Sequence, residues 1–418
     1  MKIEMVVKAF RRLVEPYRSR FSLRFVAGIA CISLVSASAS AEDMKSITLR
    51  NGNMEMSVIN YGARIQSLKF AGQDMVLGFD TLDNYASIKQ NFGAVVGRYI
   101  GRIIGGKLPL PTSPKGRSKK TNEVYQLQVG PNGDCAHGGT PGFSQQYWKF
   151  VPVHNSQFTV HSYRSAEDTY RSEAYRNDST IVLRYVSPDG ENGFPGELTL
   201  DVTYTLLHDA LRIDYTATTT KPTVLNPSNH SFFNLTADLS ESIHDELLWI
   251  NSDSICLYND KKQVTGKMMS VTGSPFDFRH PTPIGQRINE DNKQLKITGG
   301  YDHCYALPVH SAQCTVHSYR NDSTWAVTPV ARLSDLSTGI SMEVYTTEPA
   351  MQIYTANGHK GNIIGKDGKT YPKQNAICFE TMHFPDSPNN PQWPSTQLNP
   401  GETFHSTTIY KFSITCEE

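Results

Sequence analysis

The chain has 418 residues, and its 40 basic and 40 acidic side chains give a formal net charge of zero. The first 41 residues carry seven Lys/Arg and two Asp/Glu, so the rest is mildly acidic, with no electrostatic footprint for nucleic acid. At 38% hydrophobic and 19% charged, the body is too apolar for a disordered protein and long enough to bury a sizeable core.

At the start of the chain, Lys2, Lys8, Arg11, Arg12, Arg18, Arg20 and Arg24 precede a short apolar run, Phe25 to Ser36, which ends in small residues at Ala39-Ser40-Ala41. A basic segment, a short hydrophobic segment and an A-x-A site describe a secretory signal peptide over 1–41. A membrane anchor would need about 20 apolar residues, more than this run supplies. Cys31 sits in a poor lipobox. The expected mature chain is therefore 42–418, exported to the periplasm or the medium, with no stable membrane association after cleavage. It keeps Cys135, Cys256, Cys304, Cys314, Cys378 and Cys416, scattered and without a C-x-x-C pair, so spacing alone establishes no disulfide. Sequons begin at Asn177, Asn229, Asn234 and Asn321 and matter only in a host that glycosylates.

The body reads as β. Met54, Met56 and Val58 form a period-2 run. Gly101 to Lys107 (GRIIGGK) fits the first seven positions of a P-loop, but residue 108 is Leu and no helix pattern follows, so strand and turn are expected there. Leu108 to Lys120, with three prolines and a basic end, reads as an exposed loop. Val153 to Arg164 recurs at Val309 to Arg320 with nine of twelve positions matched, and RNDST recurs at 176–180 and 320–324. Two copies at uneven spacing do not make a solenoid. Ile181 to Val186 is strand-like. Leu198, Leu200, Val202, Tyr204 and Leu206 alternate with polar residues, and His208-Asp209-Ala210 separates them from Leu211, Ile213 and Tyr215, which predicts a hairpin. Met342 to Thr346 is a further strand. No long 3.6-residue stripe and no linker appear, so 42–418 is expected to be one large all-β domain, a sandwich or barrel. There is no H-E-x-x-H and no G-x-S-x-G, so zinc and serine-hydrolase chemistry lack support.

Several segments place polar groups among Gly, Pro and aromatics. They are Asn60 to Ala63, Gly97 to Ile103 (GRYIGRI), Asn132 to Gly139 (NGDCAHGG), Asn226 to Leu235 (NPSNHSFFNL), Gly300 to His303, Gln352 to Thr355 and Ile377 to Pro388. A lone His in such a loop, or a Glu beside Cys378 and Phe379, has an ordinary structural reading. Converging, two His, one Arg, one Asp, one Gln and one Glu suit a neutral polyol, with Arg, Asp and Gln for hydroxyls and His with Glu for proton transfer.

The set resembles the aldose 1-epimerase (galactose mutarotase) family. The resemblance rests on Asn229 to Leu235 (NHSFFNL), Glu380 to Pro388 (ETMHFPDSP), Ser187 to Gly196 (SPDGENGFPG) and Pro394 through Gly401, and it extends from Asn60-Tyr61-Gly62 to Glu402. It implies a large antiparallel β-supersandwich and an isomerase that interconverts the α and β anomers of free aldoses such as galactose or glucose. It places the general acid at His230 and the base at Glu380, with Arg102, His137, Asp302 and Gln352 holding the sugar. No metal or cofactor is implied. The expected partner is a small aldose, and the expected state is a monomer or weak dimer. The base must stay ionised, so nearby donors or a cation are expected to offset its desolvation, and the acid must hold a proton near neutral pH. Gly101 stands where many relatives have Asn, Phe232 where Tyr is common, and Ser228 where Thr is usual; these bear on sugar preference. A non-catalytic sugar-binding sandwich and an epimerase for a sugar phosphate or oligosaccharide are the alternatives.

Overall fold

The computed structural model describes residues 44–88, 90–111, 122–152, 176–177, 179–308 and 328–414. The leader 1–41, residues 112–121, the two VHSYR copies, Asn321, Cys31, Cys314 and Cys416 lie outside the described residues.

The chain folds as an antiparallel β-sandwich built around a ten-stranded sheet. Its order runs Lys149–Val151, Thr180–Ser187, Leu198–Leu206, Ala210–Thr219, Phe404–Ile414, Ile340–Thr346, Ala331–Ser334, Leu247–Ile250 and Thr282–Pro283, with Arg176–Asn177 paired to Thr180–Ser187. The central hairpin forms as its pattern predicts. Leu198, Leu200, Val202, Tyr204 and Leu206 are fully buried while the residues between them are half-exposed, and Leu206 faces Leu211 across the turn. Period-2 alternation puts every apolar side chain on one face, so this register is the one that buries all five.

A second, five-stranded sheet runs Val264–Ser270, Ser254–Tyr258, Asp302–Ala306, Ala350–Tyr354 and Cys378–Met382. Cys378–Met382 is buried at all five positions, so both of its faces are covered. Phe379 and Thr381 point to the ten-stranded sheet: Tyr410 Oη donates to the Phe379 carbonyl at 3.0 Å, and the Thr381 hydroxyl meets that of Thr408 at 2.6 Å. Alternation therefore turns Cys378, Glu380 and Met382 to the opposite face. A third, four-stranded sheet comprises Ser46–Asn51, Met54–Ile59, Arg64–Phe70 and Gln73–Asp74. Among the described residues, α-helix is confined to Asp83–Ser87 and Lys293–Thr298.

GRIIGGK is strand and turn, as expected: Arg102–Ile103 is extended, Ile104–Gly106 turns and Lys107–Pro111 is extended again. The exposed loop begins later than its composition indicates. Residues 107–111 pair with Asn122–Gln126, and Leu108 and Leu110 are buried while the prolines alternate with them. Proline is admitted because the pair forms an isolated two-stranded ribbon whose outer edges need no donor. Cys135, Cys256, Cys304 and Cys378 are buried free thiols. Two sequons are closed to glycans by burial. The Asn229 amide donates to the Gly93 carbonyl at 2.9 Å, and that of Asn234 to the Asn375 carbonyl at 2.8 Å.

Candidate active site

The six residues singled out from sequence line one cavity of about 340 Å³. Three come from the open face of the five-stranded sheet. Gln352 lies opposite Glu380 in register, and Asp302 lies on the next strand, opposite Tyr354. Gln352 Nε2 donates to Asp302 Oδ1 at 2.6 Å, and Tyr258 Oη donates to Gln352 Oε1 at 3.0 Å. A polar row thus crosses the sheet, each member orienting the next.

His230 ends the short strand Ser228–His230, paired with Ala94–Val96. The surrounding motif is built to hold it. Asn229 Oδ1 accepts from the Ser231 backbone N–H at 3.0 Å and from its hydroxyl at 2.6 Å, a local Asx turn just past the histidine. The chain beyond is pinned by Phe233 N–H to the Ile377 carbonyl at 2.8 Å, which ties the His230 segment to the Glu380 segment. His230 Nε2 sits 3.4 Å from Glu380 Oε1.

Arg102 and His137 enter from a second ribbon, in which Arg102 pairs with Ala136. His137 has φ 51 and donates its backbone N–H to the Gly101 carbonyl at 2.8 Å. The glycine after it is obligatory: a Cβ at Gly138 would lie 2.1 Å from the Gly97 carbonyl oxygen, at φ +83. The His137 ring meets that of His230 edge-on at 6.2 Å, and Arg102 approaches Asp134 at 3.8 Å.

Not every polar residue of these motifs faces the cavity. Arg98 is buried under the SPDGENGFPG turn, donating to the carbonyls of Pro195 at 3.0 Å and Gly196 at 2.9 Å. His383 points elsewhere, its Nδ1 2.6 Å from Glu348 Oε2. Conversely, Tyr258, Lys262 and His359 line the cavity without a sequence signal, because they lie in stretches of no distinctive composition, whereas Tyr354 belongs to the Gln352 to Thr355 segment. The Cys378 thiol beside His230 also escaped notice, since a cysteine in an apolar strand reads as core.

Burial dominates the electrostatics. Glu380 is pushed up to about 8, first by desolvation and then by the Asp302 charge. His230 is pushed down to about 3 by desolvation and by His137, and His137 down to about 4 by desolvation and by Arg102. Desolvation also raises Asp302. Burial thus works against the expectation of donors or a cation keeping Glu380 ionised and of a protonated His230. Among the described residues Glu380's polar contact is His230 itself, and burial favours the neutral form of each.

A proton donor and acceptor only 3.4 Å apart cannot flank a bond from opposite sides, as paired carboxylates in glycosidases do. They suit two oxygens on one carbon. A hemiacetal carbon carries such a pair, the ring oxygen and the hydroxyl.

Comparison with known proteins gives the same picture. Residues 45–411 match the model of the family described as aldose 1-epimerase. The chain is similar to a galactose mutarotase from Mus musculus, 32% identical over 376 residues and spanning 89% of this chain and 94% of the mouse protein. It is 28% identical to the aldose 1-epimerase of Escherichia coli K12, across 88% of this chain and 94% of that one. Among solved structures, the galactose 1-epimerase of Lactobacillus acidophilus superposes with a TM-score of 0.70 at 27% identity, covering 89% and 95% of the two chains.

Proposed function

The chain belongs to the aldose 1-epimerase family, and from that premise we propose that it interconverts the α and β anomers of free aldohexoses of the galactose and glucose type, with His230 as proton donor and Glu380 as proton acceptor. The contact between His230 Nε2 and Glu380 Oε1 inside a buried cavity is the observation that carries this reading.

In the forward step Glu380 takes the proton from the C1 hydroxyl while His230 gives one to the ring oxygen. The bond from C1 to the ring oxygen breaks, and C1 becomes an aldehyde. Rotation about C1–C2 presents the other face. Glu380 then returns its proton to the carbonyl oxygen, His230 accepts the proton of the attacking C5 hydroxyl, and the ring closes with inverted C1. Arg102, His137, Asp302 and Gln352 hold the sugar hydroxyls.

Burial gives this cycle a direction of bias. Ring opening leaves Glu380 protonated and His230 neutral, the arrangement that desolvation by burial favours. The site is therefore electrostatically matched to the open-chain sugar, the high-energy species of the path, rather than to either ring form. Before opening, one proton crosses from Glu380 to His230 over the 3.4 Å between them.

The reaction is placed outside the cytoplasm on the strength of the basic leader and A-x-A site in residues 1–41, with the mature chain acting as a monomer or weak dimer free of the membrane. Polarimetry and exchange NMR on α-galactose and α-glucose test the assignment. Glu380→Gln and His230→Asn should each lose about 10²-fold or more in rate. Full activity in both variants would remove the assignment.

A further inference from the structure

We propose that Cys256 and Cys304 are the two halves of a disulfide that fastens the strands Ser254–Tyr258 and Asp302–Ala306 together beside the proposed sugar site. Ile255 pairs with Tyr305 in antiparallel register, which sets Cys256 directly opposite Cys304. Residues so opposed have Cα atoms about 4.5 to 5.5 Å apart, inside the range that a disulfide spans. The two side chains also share a face. Ile255 and Tyr305 belong to the main core, whereas Cys256 and Cys304 turn the other way, into a smaller apolar cluster with Tyr258, Val264, Ala350 and Phe384. Both cysteines are fully buried there, and the Cys304 thiol stands within hydrogen-bonding reach of Cys256. Among the described residues the other cysteines are placed differently. Cys135 sits in the cluster of Tyr99 and Phe194, and Cys378 in that of Phe232 and Tyr371. Cys256 also meets the Met268 sulfur at 3.8 Å, but a thioether has no thiol to give.

This pair of cysteines continues a line that ends at the proposed base. Cys304 lies opposite Gln352 and Gln352 opposite Glu380, so Cys256, Cys304, Gln352 and Glu380 cross four strands in one row. Tyr258 follows Cys256 by two residues and Asp302 precedes Cys304 by two, and these two side chains bond the two polar ends of Gln352. A bond between the sulfurs fixes the spacing of the strands that carry Tyr258 and Asp302. The reaction is thiol–disulfide exchange, with a small-molecule or protein disulfide as the oxidant. One cysteine gives its proton to solvent, attacks a sulfur of the oxidant and displaces the other as a thiol. The second cysteine then attacks the mixed disulfide and displaces the remaining thiol. The pair loses two protons and two electrons, and the S–S bond of the oxidant becomes two S–H groups. Burial raises the Cys304 thiol well above the ordinary range in the folded chain, so the exchange belongs to the folding chain, before the cluster closes. In the cell this step rests on the export proposed above, which supplies an oxidising compartment; the pairing itself does not.

The test uses the full chain, refolded from denaturant in a buffer of oxidised and reduced glutathione. Digestion without reductant, followed by mass spectrometry, should yield a peptide in which Cys256 is linked to Cys304, and reduction should release its two halves. The bridge closes a loop of about 50 residues, so reducing the folded protein should lower Tm by about 5 °C. In the double variant Cys256→Ala, Cys304→Ala, Tm should not respond to reductant. Recovery of Cys256 and Cys304 as free thiols, or linked to other cysteines, overturns the proposal, as does a Tm of the unaltered protein that reductant leaves unchanged. The peptide map needs no substitution, so it decides the matter even if the double variant folds poorly. Neither measurement involves a sugar or the leader, so the result stands apart from the activity and the export proposed above.

Discussion

Gln352 lies directly across the strand pair from Glu380, yet its amide donates to Asp302 at 2.6 Å and its carbonyl oxygen is taken by Tyr258 at 3.0 Å. Both polar ends of the nearest side chain are thereby committed, and Glu380 is left with His230. The row proposed to hold the sugar thus gives Glu380 no hydrogen bond of its own among the described residues. That is why burial raises Glu380 rather than merely surrounding it.

The pH profile should reflect the pair rather than either residue. Glu380 near 8 and His230 near 3 mean that the two share one proton over the range between. The resting form, with the proton on Glu380, and the ring-opening form, with it on His230, have the same composition, so their ratio does not change with pH. The expected kcat/KM is flat from about pH 5 to about 7 and falls about tenfold per pH unit above about 8, as the pair loses its proton. Polarimetry corrected for the uncatalysed rate measures it. A limb rising through the ordinary carboxylate range would show Glu380 to be a normal, solvated acid.

Stability should carry the same signature. An unfolded glutamate ionises above 4.5, whereas Glu380 in the folded protein stays protonated until about 8. Between those values the unfolded state binds fewer protons, so stability falls as pH rises through this window and levels off above it. Each tenfold change in proton affinity is worth about 1.4 kcal/mol, so the whole effect is several kcal/mol. Glu380→Gln should therefore raise Tm relative to the original protein, with a gap that opens from pH 4.5 to 8. Glu246, buried and likewise raised to about 8, acts in both proteins and cancels from the difference. Thermal melts across that range check it, and a gap independent of pH would contradict it.

Asp302 couples binding to this titration. Its charge is the second cause of the raised Glu380, and its carboxylate receives the Gln352 amide. Asp302→Asn keeps an acceptor for Gln352 but removes the charge. The alkaline limb should move to lower pH, while KM rises about tenfold through loss of a charge-assisted bond to a sugar hydroxyl. An unmoved limb would mean that Asp302 does not act on Glu380 electrostatically.

Much of this was legible in the chain. The hairpin of Leu198–Leu206 and Ala210–Thr219 follows from alternation alone, because a one-residue slip would expose Leu198, Leu200 and Val202 together. The six cavity residues lie in dense polar motifs, and the resemblance to the aldose 1-epimerases is what picks them out there from Arg98, His303 and His383. Their protonation was not legible: acidity depends on burial and on which neighbours are already bonded, and no spacing in the sequence records that Gln352 turns to Asp302. The strand at 107–111 was hidden because prolines mask the Leu108 and Leu110 alternation. Tyr258 was missed because its stretch has no distinctive composition and its contact with Gln352 comes from a strand far apart in sequence.

Arg98 makes the opposite case, a charged residue whose role is architectural. It is 2% exposed, and its guanidinium donates to the carbonyls of Pro195, Gly196, Ser187 and Pro188 and to the hydroxyls of Thr223 and Ser187. Its face lies over the Phe194 ring at 5.6 Å. Burial lowers it only to about 10, so it stays charged at neutral pH. The planar fork reaches acceptors on three segments at once, which a lysine ammonium cannot do. Arg98→Ala strands those acceptors and should cost about 3–5 kcal/mol, and Arg98→Lys should recover little of it. The damage should extend to substrate affinity, because Gly101 and Arg102 follow on the same segment and Gly101 anchors the His137 backbone. Urea denaturation of both variants, with KM measured alongside, tests this. A lysine variant as stable as the original protein would show that charge alone, rather than the fork, holds the turn.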